Sequence, residues 1–499
     1  EGLELDVQSA SASLEGGEKG LSASMDIALA PGGKLKGEFS SSGPLRLGWP
    51  ERGSFALDCQ DLDPAKFQSF MPKDLHVGGR LSGQVRGQLL SGGRLDLEGK
   101  TSLADGRLQW RGETGQIGAD VKSAEITLAW REKTMSGELN LALADYGRIH
   151  GDFSLPLPAR LPVALDENGP LRGRLAGEMK EKGLLAILFP GLVRESQGRF
   201  NVDLGIGGSW SHPDYSGTLQ LADGGAFLLA AGIQLEKVEA RAHFAGDKID
   251  IESFQAVSGS GRIQGSATGR LKDWTLESYQ VTIKGERFQA IHLPELEVEI
   301  SPDLSVEGTP ETLQVRGKVL IPHLLATGFK TQTPVQSSPD VVIVSASQAQ
   351  KKPSPIKLDI QVRLVLGDHV WIKAMGLDAR LEGDVTVKAT SQEKITGEGE
   401  IKVAEGTYSA YGVKLKITRG SVLFAGGSVT RPTLNVEASR TVQDVTAGVR
   451  VTGTPQAPKV TLYSTPTMPD TDILSYIVLG HPLSSNGGQA SLRTAAAGG

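Results

Sequence analysis

The sequence predicts an all-β protein in which repeated, mostly antiparallel strands are accompanied by only a few short helices. Apolar and polar residues alternate along most of the chain, which is the period of a strand with one apolar and one polar face. The 63 glycines among 499 residues are spread evenly, as turn residues between strands would be. No long stretch has the 3.6-residue period of an amphipathic helix. We therefore expect an elongated sheet of repeated units, with on the order of 35 strands.

The first part of the chain already follows a strand and turn pattern. Residues 3–7 alternate between apolar and polar types, and the glycine pairs 16–17 and 32–33 mark turns around the alternating stretch 21–29. Proline is favoured in the first turn of a helix. Pro64 therefore predicts a short helix that covers residues 66–70 and is ended by a second proline.

Two similar segments indicate an internal repeat of about 120 residues. A turn of sequence Leu-Ala-Asp-Gly is predicted at 103–106 and again at 221–224, an offset of 118 (221 − 103). A short apolar helix over 184–189, ended by Pro190, would correspond at the same offset to the helix ended by Pro72. Such repetition favours a linear array of units over a globule.

The middle of the chain continues with turns and strands until a polar segment interrupts it. Residues 258–261 (Ser-Gly-Ser-Gly) predict a turn, and 271–283 predict a strand pair. Residues 331–355 are rich in Ser, Pro, Gln and Thr around one apolar stretch at 340–344, which predicts a flexible loop that contains a single strand.

The alternation is clearest near the C-terminus. The alternating stretches are 356–364, 399–406, 413–417, 432–438, 449–451 and 460–462. They are followed by one short helix: Asp470-Thr471-Asp472 predicts an acidic N-cap, residues 473–479 supply an apolar body, and Gly480 and Pro482 end it.

A series of short motifs runs in order through the same C-terminal region. The motifs are Gly406-x-Tyr408-x-x-Tyr411-Gly412, Arg419-Gly420, Phe424-Ala-Gly426, Arg431-Pro-x-Leu434, Ala438-Ser-Arg440, Gly453-Thr-Pro455, Ser464-Thr-Pro466 and Asp472-Ile-Leu-Ser-Tyr-x-x-Leu-Gly480. Between residues 295 and 482 the sequence resembles the C-terminal signature of the TamB family, the translocation and assembly module subunits related to AsmA-like bridge proteins. The resemblance upstream is looser.

The resemblance implies a fold and a role. It implies a β-taco, a sheet curled into a U-shaped hydrophobic groove. It also implies a non-enzymatic, cofactor-free bridge across the periplasm, anchored in the inner membrane by an N-terminal segment that this chain lacks. The implied partner is an Omp85-family outer-membrane barrel, TamA. The implied cargo is phospholipid or nascent outer-membrane protein.

On this interpretation the chain has four parts. Residues 1–330 hold repeated AsmA/TamB-like groove units, 331–355 the flexible loop, 356–482 the C-terminal groove with its helix, and 483–499 a disordered tail. The predicted lipid-binding residues are Ile356, Leu358, Ile360, Val362, Leu364, Val413, Leu415, Ile417, Leu434, Val436, Val449 and Val451. The predicted partner-binding residues are Ile473, Leu474, Tyr476, Ile477 and Leu479.

Composition excludes or disfavours several other functions. A net charge of −6 gives no basic field for nucleic acid. The single cysteine, Cys59, excludes an intramolecular disulfide and a cysteine-based metal cluster. The eight histidines lack paired metal-ligand spacing, so no metal site is predicted. Ser260 lacks the strand-to-helix context of a nucleophile elbow and is interpreted as a turn residue.

The apolar faces favour acyl chains, but composition leaves alternatives open. Faces rich in Val, Ile and Leu with only 5% aromatic residues overall suit a lipid better than a sugar. Each CH₂ removed from water contributes about 0.8 kcal/mol, so a chain of about 16 carbons could gain on the order of 10 kcal/mol. The alternatives are a structural or adhesive β-solenoid with a closed, dry core, and a polysaccharide-cleaving enzyme. The terminal helix would either cap the last strand edge or present an apolar patch to a partner.

Overall fold

The computed structural model describes residues 6–18, 20–30, 32–42, 52–112, 115–183, 192–272, 274–328, 356–391, 395–410 and 412–482. Strands make up 79% of the structure, and the 26 strands belong to one mostly antiparallel sheet that does not close. The all-β fold class is confirmed. The chain divides into two compact units: unit 1 contains Glu1–Val257 and Gln264–Tyr279, and unit 2 contains Ser258–Ile263 and Gln280–Gly499.

Within the described residues, unit 1 consists of consecutive strands and one 3-10 helix. The strands are β1 (Val7–Gly17), β2 (Gly20–Leu29), β3 (Lys34–Ser42), β4 (Gly53–Leu62), β5 (Leu75–Leu90), β6 (Arg94–Gly112), β7 (Gly115–Arg131), β8 (Thr134–Leu143), β9 (Gly147–Leu155), β10 (Arg172–Lys182), β11 (Val193–Gly208), β12 (Pro213–Leu228), β13 (Ile233–Gly246) and β14 (Lys248–Ser258). Strands β15 (Gly261–Lys272) and β16 (Thr275–Glu286) contribute residues to both units.

Unit 2 contains the remaining strands and the terminal helix. They are β17 (Phe288–Leu293), β18 (Leu296–Thr309), β19 (Thr312–Thr327), β20 (Lys357–Ala374), β21 (Leu377–Thr390), β22 (Thr396–Ala410), β23 (Val413–Ser428), β24 (Thr433–Val442), β25 (Val445–Thr454), β26 (Ala457–Thr465) and α1 (Asp470–Val478). From β17 onward each strand pairs with the next. The pairings are antiparallel except that of β19 with β20, which runs parallel from Thr312↔Lys357 to Thr327↔Lys373.

The described residues form 26 strands, fewer than the number predicted, because some sequences that indicate turns lie inside longer strands. The predicted Leu-Ala-Asp-Gly turns lie inside β6 and β12. Asp105 and Asp223 have φ of 49° and 50°, a left-handed conformation in which a β-bulge can replace a turn. The motif Arg419-Gly420 likewise lies inside β23, at a register shift, and not between two strands.

The two bulges support the internal repeat. Arg80 lies opposite Ala104, and its guanidinium forms an ion pair with Asp105. Arg199 lies opposite Ala222 and forms the same ion pair with Asp223. The local geometry predicted to recur after 118 residues is therefore present in both copies.

The predicted helix near residue 66 is present as a 3-10 helix over Pro64–Phe70, with Asp63 as its N-cap. The Asp63 carboxylate accepts a hydrogen bond from the Ala65 amide at 2.9 Å. The turn predicted at 258–261 is also present, between β14 and β15. The predicted helix over 184–189, the strand at 340–344 with its loop, and the tail 483–499 lie outside the described residues.

Candidate functional site

The structure brings the predicted lipid-binding residues to one face of the unit 2 sheet. On β20, Val362 lies opposite Val387 and Leu364 opposite Val385 of β21. Leu358 lies opposite Leu313 of β19. Ile360 has the same orientation, and Ile356, directly before β20, is exposed.

Farther along the sheet, the same face continues without interruption. Three cross-strand rows show it: Ile417, Ala438, Val449 and Leu462; Val436, Val451 and Val460; and Val422 with Leu434. Val413 and Leu415 precede Ile417 on the same side of β23. The twelve residues therefore belong to one surface, here called the apolar face. Their role in lipid binding stays a prediction.

The opposite face carries ion pairs between neighbouring strands. Arg363 donates to Asp384 at 2.9 Å, and Arg450 donates to Glu437 at 2.8 Å. The hydrogen bond from Arg363 lowers the pKa of Asp384 below its ordinary value. These pairs keep the polar face charged, so the two faces of the sheet differ strongly in chemistry.

Helix α1 packs on the apolar face. Ile473 and Ile477, which lie one helical turn apart, are only 3% and 7% exposed to solvent. They join a buried cluster with Leu415, Ile417, Ala379, Ala438 and Ala447, and Val413, Val436, Val449 and Tyr476 pack around that cluster. The helix contacts all four strands β23–β26 and so covers part of their apolar face.

The five predicted partner-binding residues therefore divide between two sides of the helix. Ile473, Tyr476 and Ile477 pack on the sheet, whereas Leu474 and Leu479 are 49% and 54% exposed. Val478, which the sequence analysis did not select, is 55% exposed beside them. The outer side of the helix is thus also apolar.

The ends of α1 differ in part from the prediction. The N-cap is Pro469, which has no side chain able to accept a hydrogen bond, and Asp470 and Asp472 lie in the first turn instead. There they still complement the positive end of the helix dipole. At the other end Gly480 has a φ of 81°, and its amide donates to the carbonyl oxygens of Ser475 and Tyr476, each at 3.2 Å.

Sequence reasoning missed Arg440. It lies opposite Ala447 and shares its side of β24 with Val436 and Ala438, which is a position for an apolar residue. Its Nη1 donates to the carbonyl oxygen of Ile477 at 3.2 Å, so the cation meets the C-terminal end of α1. The signal available in the sequence was a charge at an apolar position of the alternation, inside the motif Ala-Ser-Arg.

It also missed the small residues below the helix. Ala379, Ala438 and Ala447 are almost completely buried. Alanine contributes little to a hydrophobic pattern, yet its small side chain lets the helix approach the sheet closely. The alternation of Ala438 with Val436 could have identified one of them.

Concavities are also present in unit 1. Two open cavities of about 680 and 560 Å³ share Arg86 and Glu98 in their linings. Arg131 lines the larger one and pairs with Asp96 and Glu98, each at 2.8 Å. Both linings mix charged and apolar residues, such as Phe39 and Phe55 in the larger and Leu128 and Phe153 in the smaller, and neither includes a predicted lipid-binding residue. The candidate site is therefore a face of the sheet and not a closed cavity.

The described residues offer neither a metal site nor a membrane-spanning helix. The Nδ1 of His292 lies 3.7 Å from Oε1 of Glu297, and the Nε2 of His323 lies 3.8 Å from its Oε2. No group of His, Cys, Asp or Glu in the described ranges is arranged to hold a metal ion. Neither helix in the part of the chain that the structure describes has the length and apolarity needed to cross a bilayer.

A sheet that does not close within the described residues, and that in unit 2 has one charged face and one apolar face partly covered by its own helix, is consistent with a β-groove class of protein. Comparison with known families agrees with this class. Residues 43–221 match the N-terminal domain of TamB, and residues 250–498 match the TamB C-terminal domain. The chain belongs to the TamB family.

A curated relative shows the same similarity. The chain is 25% identical over 391 residues to the translocation and assembly module subunit TamB of Haemophilus influenzae. The alignment covers 74% of this chain and 28% of that protein. The chain thus spans little more than a quarter of the length of this relative.

Proposed function

We propose that this chain is part of a periplasm-spanning bridge of the translocation and assembly module, which conducts phospholipid along its apolar face between the inner and outer membranes. Family membership supports the place in the assembly module. The observation that carries the lipid proposal is the continuous apolar face of β20–β26, which no second sheet covers within the described residues. The bridge works without catalysis or a cofactor.

The two faces give the physical reason. Acyl chains that lie on Val362, Leu364 and their neighbours lose contact with water, whereas the headgroups can remain solvated at the border of the apolar face. The charged face carries cross-strand pairs such as Arg363–Asp384, so lipid has no comparable place there. A sheet with this asymmetry confines an apolar cargo to one side along its length.

Photo-crosslinking can test the assignment of the face. A photoreactive amino acid is placed at Val362 or Leu364, with Gln361 and Arg363 as matched controls on the polar side of the same strand. The protein is exposed to phospholipid vesicles, irradiated and analysed for lipid adducts. We expect adducts from the first pair at least tenfold above the second.

The other outcomes are informative. Equal labelling from both pairs would contradict the assignment of the face. An absence of lipid adducts from every position would contradict lipid transport and favour a purely structural role for the apolar face. Adducts with an unfolded outer-membrane polypeptide in place of lipid would assign protein assembly as the function of the same face.

We further propose that the outer side of α1 contacts the partner barrel, an Omp85-family protein corresponding to TamA. Leu474 and Leu479 are half exposed on a helix whose other side is buried, which leaves apolar surface for a partner. A binding assay with the purified barrel should show weaker binding for Leu474→Asp with Leu479→Asp. Unchanged affinity would remove the helix from the interface, and Thr471→Asp serves as the control.

A further inference from the structure

We propose that α1 is a displaceable internal ligand of the apolar face, so that the segment of this face on β23–β26 accepts an acyl chain only when the helix leaves. This inference rests on the proposed function and specifies how the same face is regulated. It concerns one seat, formed by Leu415, Ile417, Ala438 and Ala447, which is here called the helix seat.

The helix and an acyl chain would compete for the same atoms. Leu415 and Ile417 are 6% and 7% exposed beneath α1, whereas Val362 and Leu364, on the same face but on β20, remain only half-buried. Leu415 and Ile417 belong to the buried cluster that includes Ile473 and Ile477 of α1, and Val362 and Leu364 do not. An acyl chain that lies on the helix seat must therefore displace Ile473 and Ile477.

The helix is suited to leaving. It has nine residues, a length at which an isolated helix is marginal in water, so its stability depends on its packing. Only one side of it is packed, because Leu474, Val478 and Leu479 remain about half exposed. Release therefore breaks apolar packing on one side of the helix only.

Polar contacts hold the C-terminal end of the helix in place. Arg440 donates to the carbonyl oxygen of Ile477, and the hydroxyl of Ser475 donates to the carbonyl oxygen of His481 at 2.6 Å. When the helix leaves, the Arg440 guanidinium loses its acceptor while it remains beside the apolar face. A phosphate headgroup is an acceptor of matching chemistry, so a phospholipid could replace both contacts of the helix, the apolar and the charged one.

Lipid labelling of the full chain tests this inference without altering the seat. Vesicles contain phosphatidylglycerol with a photoactivatable diazirine in its acyl chain, and adducts are mapped to peptides by mass spectrometry. The release variant is Ile473→Asp with Ile477→Asp. The control is Thr471→Asp with Val478→Asp, which adds the same two charges to exposed positions of the same helix.

In the unaltered chain and the control, we expect adducts on β20–β21 and few on the helix seat. In the release variant, adducts on the seat should rise at least tenfold while those on β20–β21 stay unchanged. Seat labelling in the unaltered chain equal to that of the release variant would overturn the internal-ligand proposal but leave the proposed function intact. Absence of adducts from the apolar face in all three proteins would overturn both.

A second measurement does not depend on the variants. Amide hydrogen exchange of residues 470–478 in the unaltered chain is followed with and without phosphatidylglycerol vesicles. Displacement predicts exchange at least tenfold faster with lipid. Unchanged exchange, together with lipid bound on the helix seat, would show that helix and lipid coexist and would contradict the proposal.

Discussion

Arg440 donates a hydrogen bond to the carbonyl oxygen of Ile477 across 3.2 Å, although its position on β24 belongs to the apolar face. A charge at such a position is stabilised only if it reaches a polar partner, and here the partner is the negative end of a helix dipole. The same contact fixes where the last helix of unit 2 ends on the sheet.

Replacement of this arginine should loosen the helix without unfolding the sheet. For Arg440→Met we expect the free energy of unfolding to fall by about 1 kcal/mol and the amides of residues 470–478 to exchange faster. The control is Arg450→Met, which removes an ion pair with Glu437 on the polar face and should leave the helix amides unchanged. Equal exchange in both variants would show that Arg440 does not hold the helix.

The helix seat should be sensitive to cavity formation. Leu415→Ala removes a nearly buried side chain and should lower the free energy of unfolding by about 2–5 kcal/mol. Leu423→Ala, on the same strand but 46% exposed, should change it by less than about 0.5 kcal/mol. Urea unfolding followed by circular dichroism measures both, and similar losses would contradict the difference in packing.

Gly399 allows β21 and β22 to approach each other closely. Gly399 has a φ of 143°, and a Cβ there would lie 2.2 Å from the carbonyl oxygen of Asp384. Gly399→Ala should therefore destabilise the protein by about 1–3 kcal/mol. Gly427→Ala, where a Cβ would meet nothing within 4 Å, is the matched control in thermal unfolding and should show no comparable loss.

The ion pair of Arg363 and Asp384 should contribute to pH-dependent stability. The folded pKa of Asp384 is depressed, so its contribution is present above the unfolded value of about 3.9 and is lost as the pH falls through the folded value. At pH 7, Asp384→Asn and Arg363→Gln should each lower the unfolding temperature. Below the folded pKa of Asp384 both variants should converge with the unaltered protein, and a constant difference across the titration would contradict this assignment.

The alternation of residue types predicted strands and their two faces well, because burial on one side of a strand leaves a direct trace in the sequence. The stretches 356–364 and 413–417 show this, since the structure brings both to one face. Bulges were not predicted, because Asp-Gly satisfies both a turn and a left-handed bulge, and only the neighbouring strand at Arg80 or Arg199 distinguishes them.

The position of the helix could not be predicted either. The sequence shows that Ile473 and Ile477 share one side, but the surface they meet is made by residues from several strands. Whether a short helix covers an edge or a face depends on how the preceding strand is directed. The role of Arg440 follows from that same long-range geometry.

Within the described residues of unit 2 one pairing is parallel, that of β19 with β20, and it imposes a counting rule on the strands that follow. In an antiparallel meander, successive hairpin turns lie alternately at the two ends of the strands, here called the two rims of the sheet. After the parallel pairing this alternation starts again from β20. Seven strands, β20 to β26, then carry the chain, so α1 begins at the rim where β20 ends. One strand more or fewer would start the helix from the opposite rim and separate Ile473 and Ile477 from their seat. Sheets of this design should therefore be lengthened or shortened by whole hairpins, two strands at a time.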